Sequence, residues 1–206
     1  MIARRRTSPH DVARAAPALA LLTVLLLASA CSVSTPPIRH LQLSSGARES
    51  GAQDDPVIVI ETVDLPDYLL RDELARRIDD VTLHYNPYLR WAEPLDLAVQ
   101  RVLAELLSEL LDTRRVVRFP AAPRSEVDWF LSVRLQRFER ESSRAVLLGE
   151  ASWARATTPG DTVHSILMED EQALPANASG AETARALNKL LERFAAAVAR
   201  GRPDAD

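Results

Sequence analysis

The chain has 206 residues, 47% hydrophobic and 26% charged, a globular composition that excludes a disordered chain. Its net charge of −4 becomes −7 once the four arginines and one aspartate of the first 30 residues are set aside, so residues 31–206 lack the basic balance of a general nucleic-acid binder. Cys31 is the single cysteine, which excludes an internal disulfide framework.

Residues 1–14 are basic, Ala18–Ala28 is an apolar run (ALALLTVLLLA), and small residues, Ala28-Ser29-Ala30, stand directly before Cys31. That order predicts a cleaved secretory signal over residues 1–30. The apolar run is shorter than the roughly 20 residues a bilayer span needs. Arg5-Arg6 lacks the apolar residues just downstream that mark a twin-arginine signal, which points to the general secretory route. Leu27–Cys31 resembles a bacterial lipobox, with Ala28 where leucine is usual. The resemblance implies a diacylglyceryl group on the Cys31 thiol, cleavage before it and acylation of the new amine. The competing reading is a plain signal with an incidental cysteine. Burial of acyl chain contributes about 0.8 kcal/mol per methylene, so several chains on Cys31 would hold a membrane stably. Ser32 comes after the cysteine where aspartate would signal inner-membrane retention, which by analogy favours the outer membrane.

Residues 31–55 read as the lipidated cysteine and a polar tether, with a possible short strand at Ile38–Leu43. The domain is expected over residues 56–201. It opens with a β-branched strand, Val57–Val63, closed by Pro66-Asp67. Glu73–Ile78 and Val81–Tyr85 form a candidate hairpin across Asp79-Asp80. Pro94–Asp112 predicts a helix, because Leu95, Val99, Val102, Leu103, Leu106 and Leu110 recur at helical spacing. Trp129, Leu131, Val133 and Leu135 alternate with polar residues, and the phase slips before Phe138, which predicts a bulged strand. Arg144–Thr157 is a second strand, with Ala145, Leu147, Gly149, Ala151 and Trp153 on one face. Thr158–Asp161 is a turn, and Thr162–Glu171 a third strand. Ser179 and Glu182 form a capping box before a last helix with Leu187, Leu190, Leu191, Phe194 and Val198 as its stripe. Gly201 and Pro203 end it. The order predicts a single α+β domain after the lipoprotein signal: a largely antiparallel sheet with two main helices on one face.

The residues from about Ile38 to Arg200 resemble the ABC-type transport auxiliary lipoprotein (PqiC-like) family. The resemblance rests on Val63-Asp64-Leu65-Pro66-Asp67-Tyr68-Leu69, on Leu89-Arg90-Trp91-Ala92-Glu93-Pro94-Leu95, and on Asp128–Glu139 with Glu150–Trp153. The family's opening Tyr-rich strand is replaced here by Ile38–Leu43. The resemblance implies a non-enzymatic subunit that accompanies an inner-membrane ABC permease and ATPase with an MCE-domain protein. Such systems move lipids or other hydrophobic compounds between the two membranes, the lipoprotein working from the periplasmic face of the outer membrane.

The residues themselves offer little chemistry. There is no G-x-S-x-G elbow, no phosphate-cradling glycine loop and no histidine pair at metal-ligand spacing. No catalytic residue, metal ligand or cofactor is expected beyond the lipid on Cys31, and no nucleic acid partner. Arg90, Trp91, Glu93 and Pro94 are the candidate partner-contact or family-motif residues. Trp91 reads either as a docking anchor or, preferably, as a core residue that locks the helix start. Trp129 and Trp153 read as core. Glu169-Asp170-Glu171 reads as solvated strand-end charge. Two other functions stay open: a lipid-binding carrier that holds an acyl chain between helices and sheet, and a lipoprotein hydrolase.

Overall fold

The computed structural model describes residues 36–47, 55–119, 126–157 and 162–203. The signal, Cys31 and the turn expected at Thr158–Asp161 lie outside them. From Ile38 on, the chain is one compact unit.

The β-branched and alternating runs fold as strands β1 (Arg39–Leu41), β2 (Ile58–Asp64), β3 (Glu73–Arg77), β4 (Leu83–Trp91), β5 (Val116–Arg118), β6 (Trp129–Glu141), β7 (Arg144–Arg155) and β8 (Thr162–Ala173). The two apolar stripes fold as helices α1 (Leu95–Leu110) and α2 (Gly180–Arg200). All described strands join one mixed sheet. Its long pairings, β6 with β7 and β7 with β8, are antiparallel, as is the β3–β4 hairpin. Its short pairings, β1 with β4, β2 with β5 and with β6, and β3 with β6, are parallel. The α+β single-domain expectation holds, and the parallel links are the structure's addition to it.

The bulge expected before Phe138 is present between Leu135 and Arg137. It turns Phe138 back onto the helix face after the extra residue breaks the alternation. β4 runs on through Pro87 to Trp91, beyond the predicted hairpin. Proline offers no N–H to a ladder, and the pairing with β3 shifts register between Glu73 and Ala75 on that stretch. β5 was not expected: three residues are too few to show a period. The first helix starts one residue later than predicted, because Pro94 has an extended ψ of 133° and only its carbonyl enters the helix. Leu110 is the last helical residue, and Asp112 lies in the left-handed region at φ 50°. Aspartate tolerates that conformation well. The Ser179–Glu182 capping box forms as predicted.

One face of the sheet supplies Ile58, Ile60, Trp129, Leu131, Leu135, Leu147 and Trp153 to the core. Helices α1 and α2 cover it with Val99, Leu103, Leu187, Leu191, Phe194 and Val198. Trp129 and Trp153 meet edge to face, 6.3 Å apart at 88°. Such a pair adds about 0.5–1.5 kcal/mol beyond its buried area. The buried Trp153 indole N–H donates to the Val198 carbonyl at 3.3 Å, so the ring is both packed and satisfied. The opposite sheet face holds a smaller apolar cluster of Val57, Val59, Val127 and Phe130.

Candidate functional site

The segment Leu89–Leu95 closes β4 and opens α1. β1 lies parallel beside it, with Arg39, His40 and Leu41 opposite Leu89, Arg90 and Trp91. Trp91 is buried, and its backbone N–H donates to the Asp72 carbonyl at 2.7 Å. The Ala92 N–H donates to the Leu41 carbonyl at 2.7 Å. Trp91 is therefore a core residue, and the interface role weighed for it from sequence finds no exposed ring.

Glu93 is held by Arg101, whose Nη2 lies 2.5 Å from its Oε1. The same guanidinium donates to the Leu43 carbonyl at 2.9 Å and to Glu105 at 3.3 Å. Ser45 Oγ donates to the other Glu105 oxygen at 2.6 Å. The Glu93 carboxylate, chiefly, holds the Arg101 proton more tightly than usual. Arg101 thus ties the segment after β1 to the start of α1. Sequence reasoning did not single out Arg101; a cation two turns after Glu93 was the available signal. Arg90 is the most exposed polar group of the motif. Its Nη2 lies 3.4 Å from Glu73, and its Nε donates to the Pro87 carbonyl at 3.3 Å. Pro94 supplies the carbonyl that accepts from the Ala98 N–H at 2.9 Å.

The stretch Val63–Leu69 serves a second polar node. Leu65 and Leu69 enter the core. The Tyr68 hydroxyl donates to Glu139 Oε2 at 2.6 Å. Arg77 Nε and Arg137 Nε donate to Glu139 Oε1 at 2.8 and 3.1 Å. Glu139 has no exposed side-chain surface. Burial first, and the Glu139 charge after it, push the Tyr68 hydroxyl far above its ordinary pKa. Sequence reasoning missed this node, because its members come from separate segments. Arg140 is almost buried and donates to four backbone carbonyls, of Ser142, Pro175, Ala176 and Ala178. It fixes the passage from β8 into α2.

Glu171 and Asp170 pair with Arg144 and Arg193. The acidic triplet is thus in part structural, and Arg193 holds the Asp170 carboxyl below its usual range. Among the described residues no group of three His, Cys, Asp or Glu side chains is placed to hold a metal ion. No described helix is long and apolar enough to cross a membrane.

These nodes are architectural, and the comparisons agree with that architecture. No curated protein matches the chain. One similar solved structure is a crystal structure of an uncharacterized protein, with TM-score 0.63 and 21% identity, covering 81% of this chain and 98% of that one. Another is protein XCC0632 from Xanthomonas campestris, of family DUF330, with TM-score 0.62 and 13% identity, covering 77% of this chain and 92% of that one. At those identities they show a shared fold. The family model described as the ABC-type transport auxiliary lipoprotein component matches residues 40–199. That span includes both motif segments, the bulged meander and the capped last helix, and the chain belongs to the ABC-type transport auxiliary lipoprotein family.

Proposed function

We propose that this protein is a non-enzymatic subunit of a trans-envelope ABC/MCE-type transport system. It is anchored by lipid on Cys31 to the periplasmic face of the outer membrane, and there it docks the MCE-domain component. The family match over residues 40–199 carries the reading, since the family is a transport auxiliary component and not an enzyme family. The predicted signal over residues 1–30, ending directly before Cys31, supports the anchor, and systems of this kind move lipids or other hydrophobic compounds. The carrier reading is less well supported. Among the described residues, Trp153, Phe194, Leu103, Leu131 and Leu187 fill the interface between helices and sheet where an acyl chain would lie.

The test is co-purification of the full-length protein from detergent-solubilised, crosslinked envelopes. Recovery of the MCE protein with the permease and ATPase is the expected result. Recovery of none of them overturns the transport role. In parallel, fed palmitate should label the wild type, and Cys31→Ser should lose both the label and membrane fractionation. Retention of the serine variant on membranes would dispose of the anchor.

A further inference from the structure

β5 is an edge strand whose free side faces a groove. On its inner side, the Ile58 N–H donates to Arg115 and the Phe119 N–H to Ile60, at 2.9 and 3.0 Å. Backbone groups alternate along a strand, so the N–H and C=O groups of Val116 and Arg118 point away from β2. Among the described residues no strand pairs there. Between this edge and α1 lies a recess of about 520 Å³ lined by Leu97, Gln100, Ala104, Val116, Arg118 and Phe119. Gln100 is itself spent, donating to the Ile60 and Glu61 carbonyls, so the floor offers mainly apolar surface. Leu97 and Phe119 are each about half exposed, at 49% and 51%.

Arg118 lines the recess, and Arg114 stands two residues before β5. Arg114 and Arg118 are exposed, and neither enters an ion pair or hydrogen bond among the described residues. They stand out on a domain whose net charge is negative. Arginine beside an aromatic ring and an aliphatic pocket is the composition of an interface centre. Unpaired strand groups add the main-chain component that strand addition uses, and a lipid surface has no matching row of amides. We infer that the β5–α1 groove takes an extended, acidic and apolar segment of a partner protein, which adds as a strand to β5. Its apolar side chains sit against Leu97 and Phe119, and its carboxylates meet Arg114 and Arg118. A second copy of this chain fits less well. Its acidic edge strand, β8, already commits Asp170 to Arg193 and Glu171 to Arg144.

The segment's chemistry is independent of the transport reading, but the identification of its owner as a transport component rests on that reading. The experiment places a photoreactive residue at Leu97 or Phe119 of the full-length protein in its native envelope, and sequences the peptide that becomes attached. Leu167 on β8 serves as the control position. The expected adduct is one segment of net negative charge with alternating apolar residues, formed at the groove and not at Leu167. Arg118→Glu should lower its yield about tenfold, and Arg114→Glu should lower it too. Both side chains are exposed, and unchanged melting temperatures would show the variants folded. An adduct with a copy of this chain, a basic peptide or lipid would overturn the proposal. So would absence of an adduct, or a yield indifferent to Arg118→Glu. An acidic segment from a protein outside any transporter would keep the groove and sink the transport reading. Recovery of transporter components without a groove adduct would do the reverse.

Discussion

Glu139 keeps a carboxylate where water does not reach because three donors converge on it. Arg77 and Arg137 take one oxygen and Tyr68 the other. Removing one side of a buried, bonded charge pair leaves the rest uncompensated, which typically costs about 3–5 kcal/mol. Glu139→Ala should therefore be strongly destabilising by urea denaturation, whereas Glu150→Ala, at the partly exposed position opposite Leu167, should fall near about 0.5 kcal/mol. Tyr68 makes a second test, with a definite sign. Its folded-state pKa is raised, so the neutral phenol's contribution is complete below the ordinary value of about 10 and is lost as pH rises beyond it. Tyr68→Phe should cost about 1–2 kcal/mol at neutral pH, and its deficit against the wild type should shrink in alkaline titrations. Asp170 behaves oppositely: Arg193 lowers its pKa, so that pair helps above the usual carboxylate range and fades as acid is added. At this scale the sequence read Trp129 and Trp153 as core and left Trp91 between core and docking anchor, with core preferred. It was silent on Glu139, since a charged residue in an alternating strand looks solvated until its partners fold back over it.

Elements were legible wherever a period ran long enough to repeat. The two helices, the meander and the bulge all announced themselves through spacing, and the capping box marked the start of α2. β5 did not, and the second half of β4 was hidden because a proline interrupts it. Packing between elements adds a constraint that period alone does not reveal. A Cβ at Gly149 of β7 would lie 2.5 Å from the Leu135 side chain and 3.2 Å from Phe194. The glycine lets the Phe194 ring settle on the sheet. Gly149→Ala should overpack this junction and cost about 1–3 kcal/mol, read as a lowered melting temperature with the β content unchanged in circular dichroism. A neutral outcome would mean that Leu135 and Phe194 shift freely, contrary to a close-packed core.

At the level of the molecule, sequence order favoured hairpins, and adjacent strands do form the meander. The parallel links join segments far apart in the chain, β1 to β4 and β2 to β6, and no local pattern records which distant strands will meet. The family motif becomes intelligible only with that topology. Glu93 and Arg101 clamp the chain leaving β1, so the motif ties the segment after β1 to the start of α1. Arg101→Leu should leave the global melt nearly unchanged and speed amide exchange at Ala92, bonded to the Leu41 carbonyl, by about tenfold. Equal exchange in variant and wild type would show that the guanidinium holds nothing there.

The shortness of β1 has a mechanical consequence. Under the proposed anchoring through Cys31, a partner pulling from the other membrane would put the domain under tension, and that load would enter at Ile38. Three paired residues, the Arg101 clamp and the burial of Leu41 and Leu43 would resist it, while the meander and both helices lie behind them. Peeling of β1 would release about 3.3 Å of chain for each residue freed, and carried past its end it would draw Leu41 and Leu43 out of the core. The first strand would act as a slack-giving latch, which lets the leash lengthen as the gap between membranes widens and shorten again when the strand snaps back.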